Sequence, residues 1–339
     1  MTARLHLDRA QILAVRRQVG ALDRRLPWGP GALRLAAWAG LQDSMPRAAL
    51  LSIHARVEGT GPDAWEDPAL VQVWGPRFSA YVVAAEDRAI FTLGRLPDDA
   101  AGLRRARETA GRLDAFLAGR EMPFGQAGRG MGVVPNSLRY GTTTGRLLIR
   151  WDGSRQPTVW TVPAPVMDPL EARLELARRY LHVFGVGTPA GFGGWAGVKP
   201  PRAHAVIAAL APSLVPVLTP VGEAWILAED EPAFGEPPTP PAPARLLPSG
   251  DAYSLLQDVD RALLVPDAAR QRELWTPRVW PGAVLVDGEV VGVWRRADAR
   301  LAIDGWRRLT SAERAAVETE AASLPLPGLA GRITVAWTD

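Results

Sequence analysis

Hydrophobic residues between positions 168 and 228 follow a helical spacing first and a strand spacing afterwards. An Asp-Pro pair at 168–169 with Glu171 close behind is typical of a capped helix start. Apolar residues then recur every three or four positions, as on one face of an amphipathic helix: Leu170, Leu174, Ala177, Leu181 and Phe184. Two further helices begin at Thr188-Pro189 and Pro200-Pro201, and two strands follow. Three helices and a hairpin predict a winged helix.

The N-terminal part repeats this order. Asp8 and Gln11 have the spacing of a capping box that starts a first helix. Residues 32–41 and 46–57 are predicted to be a second and a third helix, and residues 71–83 a strand pair. A first winged helix is therefore expected here.

A helix and another hairpin are predicted between these two units. The helix is expected near residues 100–117, and two strands surround Asp152-Gly153, a dipeptide typical of hairpin turns. Arg146 and Arg150 fall on one face of the first strand, because side chains two residues apart in a strand share a face. This basic hairpin is the best candidate in the chain for a DNA contact.

The C-terminal third starts with a stretch rich in proline, which predicts a stiff connector. Beyond it, a hairpin around Asp287-Gly288 and a capped helix over 311–324 indicate an α+β region. We therefore expect an α+β protein made of tandem winged-helix (helix-turn-helix) domains and a C-terminal α+β region. The predicted boundaries are a first winged helix (1–95), a second winged-helix-like unit with the basic hairpin (96–167), a third winged helix (168–230), a Pro-rich connector (231–245) and the C-terminal region (246–339).

Charge is distributed unevenly along the chain. Residues 1–60 hold nine arginines against four acidic residues, whereas residues 223–260 hold eight acidic residues against one arginine. Such asymmetry favours one polyanion-facing side, although the charge runs also fit ordinary solvated faces. The glycine-rich stretch 125–132 is predicted to be a flexible loop on that side. The residues expected to contact DNA are Arg129, Arg139, Arg146, Arg150, Arg155, Arg202 and His204.

Composition excludes several kinds of chemistry. The chain has no cysteine, which rules out disulfides, cysteine–zinc sites and iron–sulfur clusters. Lys199 is the only lysine, so a Schiff base would need it or the N-terminal amine. The four histidines lack metal-ligand spacing and no nucleotide-binding motif is present, so neither a metal nor a cofactor is expected. No signal sequence or membrane span is evident, and we expect a soluble, cytoplasmic monomer.

Several motifs resemble one known family. They are Arg178-Arg179-Tyr180-Leu181, Trp195-Ala196-Gly197, the segment 246–253 (Leu-Leu-Pro-Ser-Gly-Asp-Ala-Tyr) and Gly292-Val293-Trp294-Arg295. On these residues the chain resembles, over nearly its whole length, the winged-helix DNA-binding proteins that include the AlkZ and YcaQ DNA glycosylases. Those enzymes unhook interstrand crosslinks and remove N-alkylated purines. The resemblance implies double-stranded DNA, damaged DNA included, as the partner.

The resemblance also implies a catalytic triplet. The family carries Gln-x-Gln or Gln-x-Asp between the second and third helices of its first winged helix, and the matching residues are Gln42, Asp43 and Ser44. Gln42 keeps the pattern, whereas Ser44 replaces the second Gln or Asp. Further on, Arg77 is kept and Tyr81 stands where relatives carry a His, and both are expected at the DNA. The implied function is a DNA glycosylase for N-alkylated or crosslinked purines, with Gln42 orienting water. With a single lysine, it is expected to be monofunctional.

Other interpretations remain open. Ser44 fits a helix N-cap, and Asp43 would complement the dipole of the same helix. The missing second triplet residue favours a non-catalytic winged-helix DNA-binding protein, either a transcription regulator or a lesion-recognition factor. Winged helices also bind protein partners, so a scaffold is a third interpretation.

Overall fold

The strands of the residues described below form three sheets, and helices pack against each of them. A computed structural model describes residues 4–29, 31–153, 156–328 and 332–338. The α-helices in this part are α1 (Arg9–Val19), α2 (Ala32–Ala36), α3 (Ala48–Arg56), α4 (Arg88–Leu93), α5 (Ala100–Leu117), α6 (Phe124–Gly130), α7 (Pro169–Phe184), α8 (Pro189–Ala196), α9 (Pro200–Leu210), α10 (Arg261–Leu264), α11 (Ala268–Leu274) and α12 (Ser311–Ala322). The strands are β1 (Leu5–His6), β2 (Leu41–Gln42), β3 (Leu70–Trp74), β4 (Ala80–Ala84), β5 (Met122–Pro123), β6 (Leu147–Arg150), β7 (Thr158–Thr161), β8 (Leu214–Thr219), β9 (Gly222–Leu227), β10 (Ala244–Leu247), β11 (Gly282–Val286), β12 (Glu289–Ala297), β13 (Arg300–Gly305) and β14 (Thr334–Thr338).

The largest sheet has six strands in the order β2-β4-β3-β6-β7-β5. Its centre consists of two antiparallel hairpins, β3–β4 and β6–β7, both of which the sequence predicts. Gln72 of β3 pairs with Ile149 of β6 and joins the two hairpins. Strands assigned from the sequence to the first and the middle unit therefore lie side by side in one sheet.

Residues 168–228 fold in the predicted order, α7, α8, α9, β8 and β9. Asp168 caps α7 by accepting hydrogen bonds from the backbone N–H groups of Leu170 and Glu171. The predicted apolar face of α7 is buried except at Leu174, which is half-buried, and at Leu170, which is 53% exposed. Tyr180 stacks on Phe184 with 4.6 Å between ring centroids, which anchors the helix in an aromatic core.

The C-terminal sheet has five strands in the order β10-β11-β12-β13-β14. Asp287-Gly288 forms the turn between β11 and β12, with φ values of 48° and 79°, as the sequence predicts for an Asp-Gly hairpin. Thr310 and Glu313 form a capping box at the start of α12. The fold as a whole is a mixture of helices and several sheets, which confirms the α+β class.

The helix predicted over 32–41 is wrong in its second half. Helix α2 ends at Ala36, and Leu41–Gln42 forms β2, which pairs with β4. Gly40 has φ +70°, a conformation that ends a helix and that glycine adopts without strain. Gln42, predicted between the second and third helices, consequently lies on an edge strand of the sheet.

The flexible loop predicted over 125–132 is also wrong. Residues Phe124–Gly130 form α6, and its glycines are sites of close packing. A Cβ atom on Gly128 would lie 2.6 Å from the Cα of Pro135, and one on Gly130 would overlap the ring of Phe116. Glycine is needed at these positions because a larger residue has no room. A glycine-rich sequence alone does not distinguish such close packing from a flexible loop.

Candidate active site

Gln42 lies on the edge strand of the six-stranded sheet, where three parts of the chain meet. It pairs with Tyr81 of β4. Its amide oxygen Oε1 accepts a hydrogen bond of 3.1 Å from Nη2 of Arg77 and lies 3.5 Å from the hydroxyl of Tyr81. On its other side lies Gly250, where a Cβ atom would come within 2.9 Å of Nε2 of Gln42. The structure thus brings together Gln42, Arg77 and Tyr81, three of the predicted site residues.

Arg77 lies in a strained turn between β3 and β4. Arg77 and Phe78 have φ values of 54° and 58°, a left-handed conformation that costs non-glycine residues about 1–3 kcal/mol each. Arg95 holds the turn, since it donates a 3.2 Å hydrogen bond to the carbonyl of Trp74 and its guanidinium lies 4.9 Å from the Phe78 ring centroid. Gly197, at the C-terminus of α8, packs closely on the turn, since a Cβ atom on this glycine would lie 2.9 Å from the backbone nitrogen of Arg77. These contacts direct the Arg77 guanidinium at Gln42.

Tyr81 supports Gln42 from inside the protein. Its side chain is fully buried, so it has no surface with which to touch DNA, in contrast to the expectation from the sequence. Burial raises the pKa of Tyr81 to about 12, which keeps the hydroxyl protonated and able to donate toward Gln42. Tyr81 is therefore placed as a positioning residue.

Asp43 follows β2, and its side chain binds partners other than those that hold Gln42. Its carboxylate is 2% exposed and accepts hydrogen bonds from the backbone N–H of Ala49 at 3.0 Å and from Nε2 of Gln72 at 2.8 Å. Burial raises the pKa of Asp43 to about 6. Asp43 thus binds the N-terminal turn of α3, and its carboxylate is enclosed away from any substrate.

Ser44 is exposed and does not cap α3. The N-cap position is occupied by Arg47, whose φ is 67°, and the backbone N–H of Ala49 in the first turn is bound by Asp43 instead. The N-cap predicted at Ser44 is therefore wrong, because a buried carboxylate six residues before Ala49 takes that role. Ser44 itself lies two residues beyond Gln42, in the bend that follows β2.

The acidity of Asp43 gives a prediction for stability. An acid whose pKa rises from 3.8 in the unfolded chain to about 6 in the folded chain stabilises the fold at low pH and loses that contribution as pH rises through 6. Relative to Asp43→Asn, the wild-type protein is expected to gain about 1 kcal/mol in unfolding free energy between pH 7 and pH 5. Urea titrations of both proteins at each pH measure this difference. A difference that does not change with pH would contradict the elevated pKa.

The hairpin β6–β7 reaches the same site. Gly153 at its tip packs against Pro46, with a Cβ atom there placed 3.0 Å from the Cβ of Pro46. The backbone N–H of Trp151 donates to Oε1 of Gln72 at 2.6 Å, and Gln72 in turn binds Asp43. The tip of the predicted DNA-contact hairpin therefore lies next to the triplet.

The arginines of this hairpin are bound to carboxylates. Nη2 of Arg146 lies 2.7 Å from Asp114, and Nη2 of Arg150 lies 2.9 Å from Glu66. Both pairs are partly exposed, so phosphates can compete for these guanidinium groups. Arg155 lies outside the described residues.

Arg139 and Arg129 differ in exposure. Arg139 is half-buried, its guanidinium lies 5.6 Å from the Trp74 ring centroid, and it donates a 3.4 Å hydrogen bond to the carbonyl of Phe78. Burial lowers the pKa of Arg139. Arg129 on α6 is exposed. Arg139 therefore braces the β3–β4 turn, and Arg129 is available at the surface.

Arg202 does not face outward as predicted. It binds Asp98 at 2.6 Å and the carbonyl of Leu96 at 3.2 Å, because α9 packs on the segment that follows α4. His204 is exposed on the same helix, as predicted. Of the two residues predicted to enter a DNA groove, only His204 is free of the protein's own carboxylates in the described structure.

Three residues at the site are not predicted as functional candidates from the sequence: Gln72, Gly250 and Arg95. Gln72 had a signal, since it is a polar residue in the apolar strand Leu70–Trp74. Gly250 belongs to the 246–253 motif, but the sequence does not place it against Gln42. Arg95 had no signal of its own, because its hydrogen bonds go to backbone carbonyls far along the chain.

Metal and membrane features are absent from the described structure. Across residues 4–29, 31–153, 156–328 and 332–338, no three acidic or histidine side chains converge as metal ligands would. In the same ranges no helix combines the length and apolar character needed to cross a bilayer.

The architecture has a counterpart among solved structures. It is similar to the Streptomyces sahachiroi DNA glycosylase AlkZ, with a TM-score of 0.75 and 19% sequence identity over 98% of this chain and 100% of that chain. The sequence also matches the family model for AlkZ-like DNA glycosylases over residues 35–325. The chain therefore belongs to the AlkZ-like DNA glycosylase family, which confirms the resemblance found in its motifs. No curated protein matches the sequence.

Proposed function

We propose that the protein is a monofunctional DNA glycosylase that hydrolyses the N-glycosidic bond of N-alkylated or crosslinked purines in double-stranded DNA. Its helix-and-hairpin units act as tandem winged helices that bind DNA, and the protein works as a cytoplasmic, nucleoid-associated monomer. The observation that carries the proposal is the Gln42 amide. It is held by Arg77 and Tyr81 at a junction of three chain segments, in a chain of this family.

The chemistry requires little acid catalysis. An N7- or N3-alkyl purine is already cationic, so the bond to C1′ breaks with its electron pair passing to the base, which leaves neutral. Water then adds to C1′ and loses its proton to solvent. The enzyme has to place that water and stabilise the oxocarbenium-like transition state.

Gln42 and Ser44 are the groups proposed to place the water. An amide oxygen has two lone pairs, so Oε1 of Gln42 can keep the hydrogen bond from Arg77 at 3.1 Å and accept from water in exchange for the long 3.5 Å contact with the Tyr81 hydroxyl. Ser44, exposed two residues further on, is proposed to offer its hydroxyl as a second acceptor. Asp43 takes no part, because both of its oxygens are bound within the protein.

DNA binding is proposed to use the hairpin tip and the arginines around it. Arg77, Arg146 and Arg150 lie on the β3–β4 and β6–β7 hairpins, and Arg129 and His204 add exposed groups. Arg146 and Arg150 would exchange carboxylates for phosphates on binding. We therefore expect an affinity that falls steeply with salt.

The activity is tested on a duplex with a single N7-methylguanine and on a nitrogen-mustard crosslink. Abasic sites are cut with mild alkali, and a sample without protein corrects for spontaneous depurination. We expect strand breaks at the lesion only after alkali, and no covalent protein–DNA adduct after borohydride treatment, because the Schiff base that borohydride traps needs an amine and Lys199 is the only lysine in the chain. A trapped adduct would contradict the monofunctional mechanism, and the absence of abasic sites would contradict glycosylase activity.

A non-catalytic DNA-binding protein is the second candidate. One observation favours it, namely that the exposed Ser44 offers neither the amide nor the carboxylate of the family triplet. This alternative predicts tight, salt-dependent binding of the same duplexes without abasic sites. A regulator would in addition prefer one DNA sequence, whereas a lesion-recognition factor would prefer damage in any sequence.

A further inference from the structure

A cleft lies beside the candidate active site, between the turn at residues 45–46 and the C-terminal sheet. It has a volume of about 280 Å³, and its walls include Met45, Trp280 and Trp294. Two residues that line the cleft are next to site residues in the sequence: Met45 follows Ser44, and Ser249 precedes Gly250. The cleft therefore adjoins the segments that carry Ser44 and Gly250.

One aromatic wall, Trp294, is held in place by the surrounding protein. Nε1 of Trp294 donates a 2.9 Å hydrogen bond to the carbonyl of Leu247, and the side chain is 5% exposed. Gly282 leaves the space that the indole fills, because a Cβ atom there would overlap it. Trp280 is half-buried, and the neighbouring Val279 is 46% exposed at the rim. Trp294 thus forms a fixed, buried wall of the cleft, and Trp280 and Val279 supply the apolar surface that solvent reaches.

The rim of the cleft is cationic. Arg295 and Arg296 both line it and are exposed. Their hydrogen bonds in the described structure go to the backbone carbonyls of Val279 at 3.1 Å and Asp298 at 3.0 Å, and no described carboxylate forms an ion pair with either. Two guanidinium groups without acidic partners fit the phosphates of a DNA strand.

We propose that this cleft binds the aromatic substituent of a bulky N-alkyl purine, so that the protein prefers aromatic adducts to methylated bases. The proposal rests on the proposed function, because it concerns the substrate class of the same site. Indole faces attract cations and aromatic rings, and an alkylated purine supplies both. The cleft is slightly smaller than a usual ligand pocket, which suits one substituent and is too small for a protein segment.

Two duplexes that differ only in the substituent test the proposal, one with N7-methylguanine and one with N7-benzylguanine. Fluorescence anisotropy measures binding and alkali-labile sites measure cleavage, so the substrate preference is measured whether or not the bond is hydrolysed. We expect the wild-type protein to bind the benzyl duplex about tenfold more tightly, and Trp280→Ala to remove that preference. Val279→Trp, which fills the cleft from its rim, is expected to remove it as well.

Trp28→Ala is the matched control, since Trp28 is 51% exposed and does not line the cleft. Its benzyl-to-methyl affinity ratio should equal that of the wild type. Equal binding of both duplexes by the wild type, or a ratio unaffected by both cleft substitutions, would overturn the proposal. Tighter binding of the benzyl duplex without abasic sites would support the proposed role of the cleft and contradict the glycosylase activity. The experiment therefore distinguishes failure of this proposal from failure of the proposed function.

Discussion

Gln42→Ala is expected to lower abasic-site formation on the N7-methylguanine duplex about 10²- to 10³-fold, the effect of removing one preorganised polar group from a transition state. Oε1 of Gln42 is fixed by Arg77 at 3.1 Å and so needs little reorganisation when water binds. Alanine keeps the short strand β2 but removes the acceptor. Single-turnover rates with excess protein measure the chemical step, and anisotropy should show DNA affinity within about twofold of the wild type, because an amide adds little to phosphate binding.

Gln126→Ala is the control for this substitution. Gln126 is an exposed glutamine on α6, and its loss should leave both rate and affinity unchanged. A Gln42→Ala protein that cleaves as fast as Gln126→Ala would show that Gln42 does not orient the water. Retained binding with lost cleavage would in turn separate the catalytic role of Gln42 from a purely structural one.

The regular elements could be predicted from the sequence because their signals are local. Helix α5 covers the expected residues, α7 begins at its Asp-Pro cap, and the Asp287-Gly288 turn joins two strands as expected. The Asp152-Gly153 hairpin also forms, although its loop is longer than two residues. In each case spacing, caps and turn residues within about 20 positions contain the information.

The site could be predicted only in part because its contacts join distant segments. The motifs identified Gln42, Arg77 and Tyr81, but burial of Tyr81 and Asp43 depends on β4, α3 and Gln72, which meet only in the folded chain. The sequence likewise does not show which side chain binds the first turn of α3. Ser44 is a common N-cap residue type, but the carboxylate that accepts from the backbone N–H of Ala49 belongs to Asp43. Charge counts likewise indicated basic segments but not the carboxylates that bind Arg146 and Arg202.

A buried ion pair explains why the C-terminal part reaches Gln42. Asp251 accepts two 2.7 Å hydrogen bonds from Nη1 and Nη2 of Arg56 on α3, and a third of 2.6 Å from the hydroxyl of Ser52. Arg56 and Asp251 are 4% and 1% exposed. This pair fixes the segment after β10 against helix α3. Gly250, which precedes Asp251 in the chain, is thereby held against the Gln42 amide.

Asp251→Ala is therefore expected to lower the free energy of unfolding by about 3–5 kcal/mol, because it leaves the Arg56 guanidinium buried without a partner. Urea unfolding followed by tryptophan fluorescence measures the loss. Glu108→Ala, which removes an exposed 3.9 Å pair with Arg104 on α5, should have little effect. The double variant Arg56→Leu/Asp251→Leu removes both charges and should regain most of the stability, since the penalty comes from the unpaired charge. If Asp251→Ala were no less stable than Glu108→Ala, the ion pair would not hold the two parts together, and the position of Gly250 at Gln42 would need another cause.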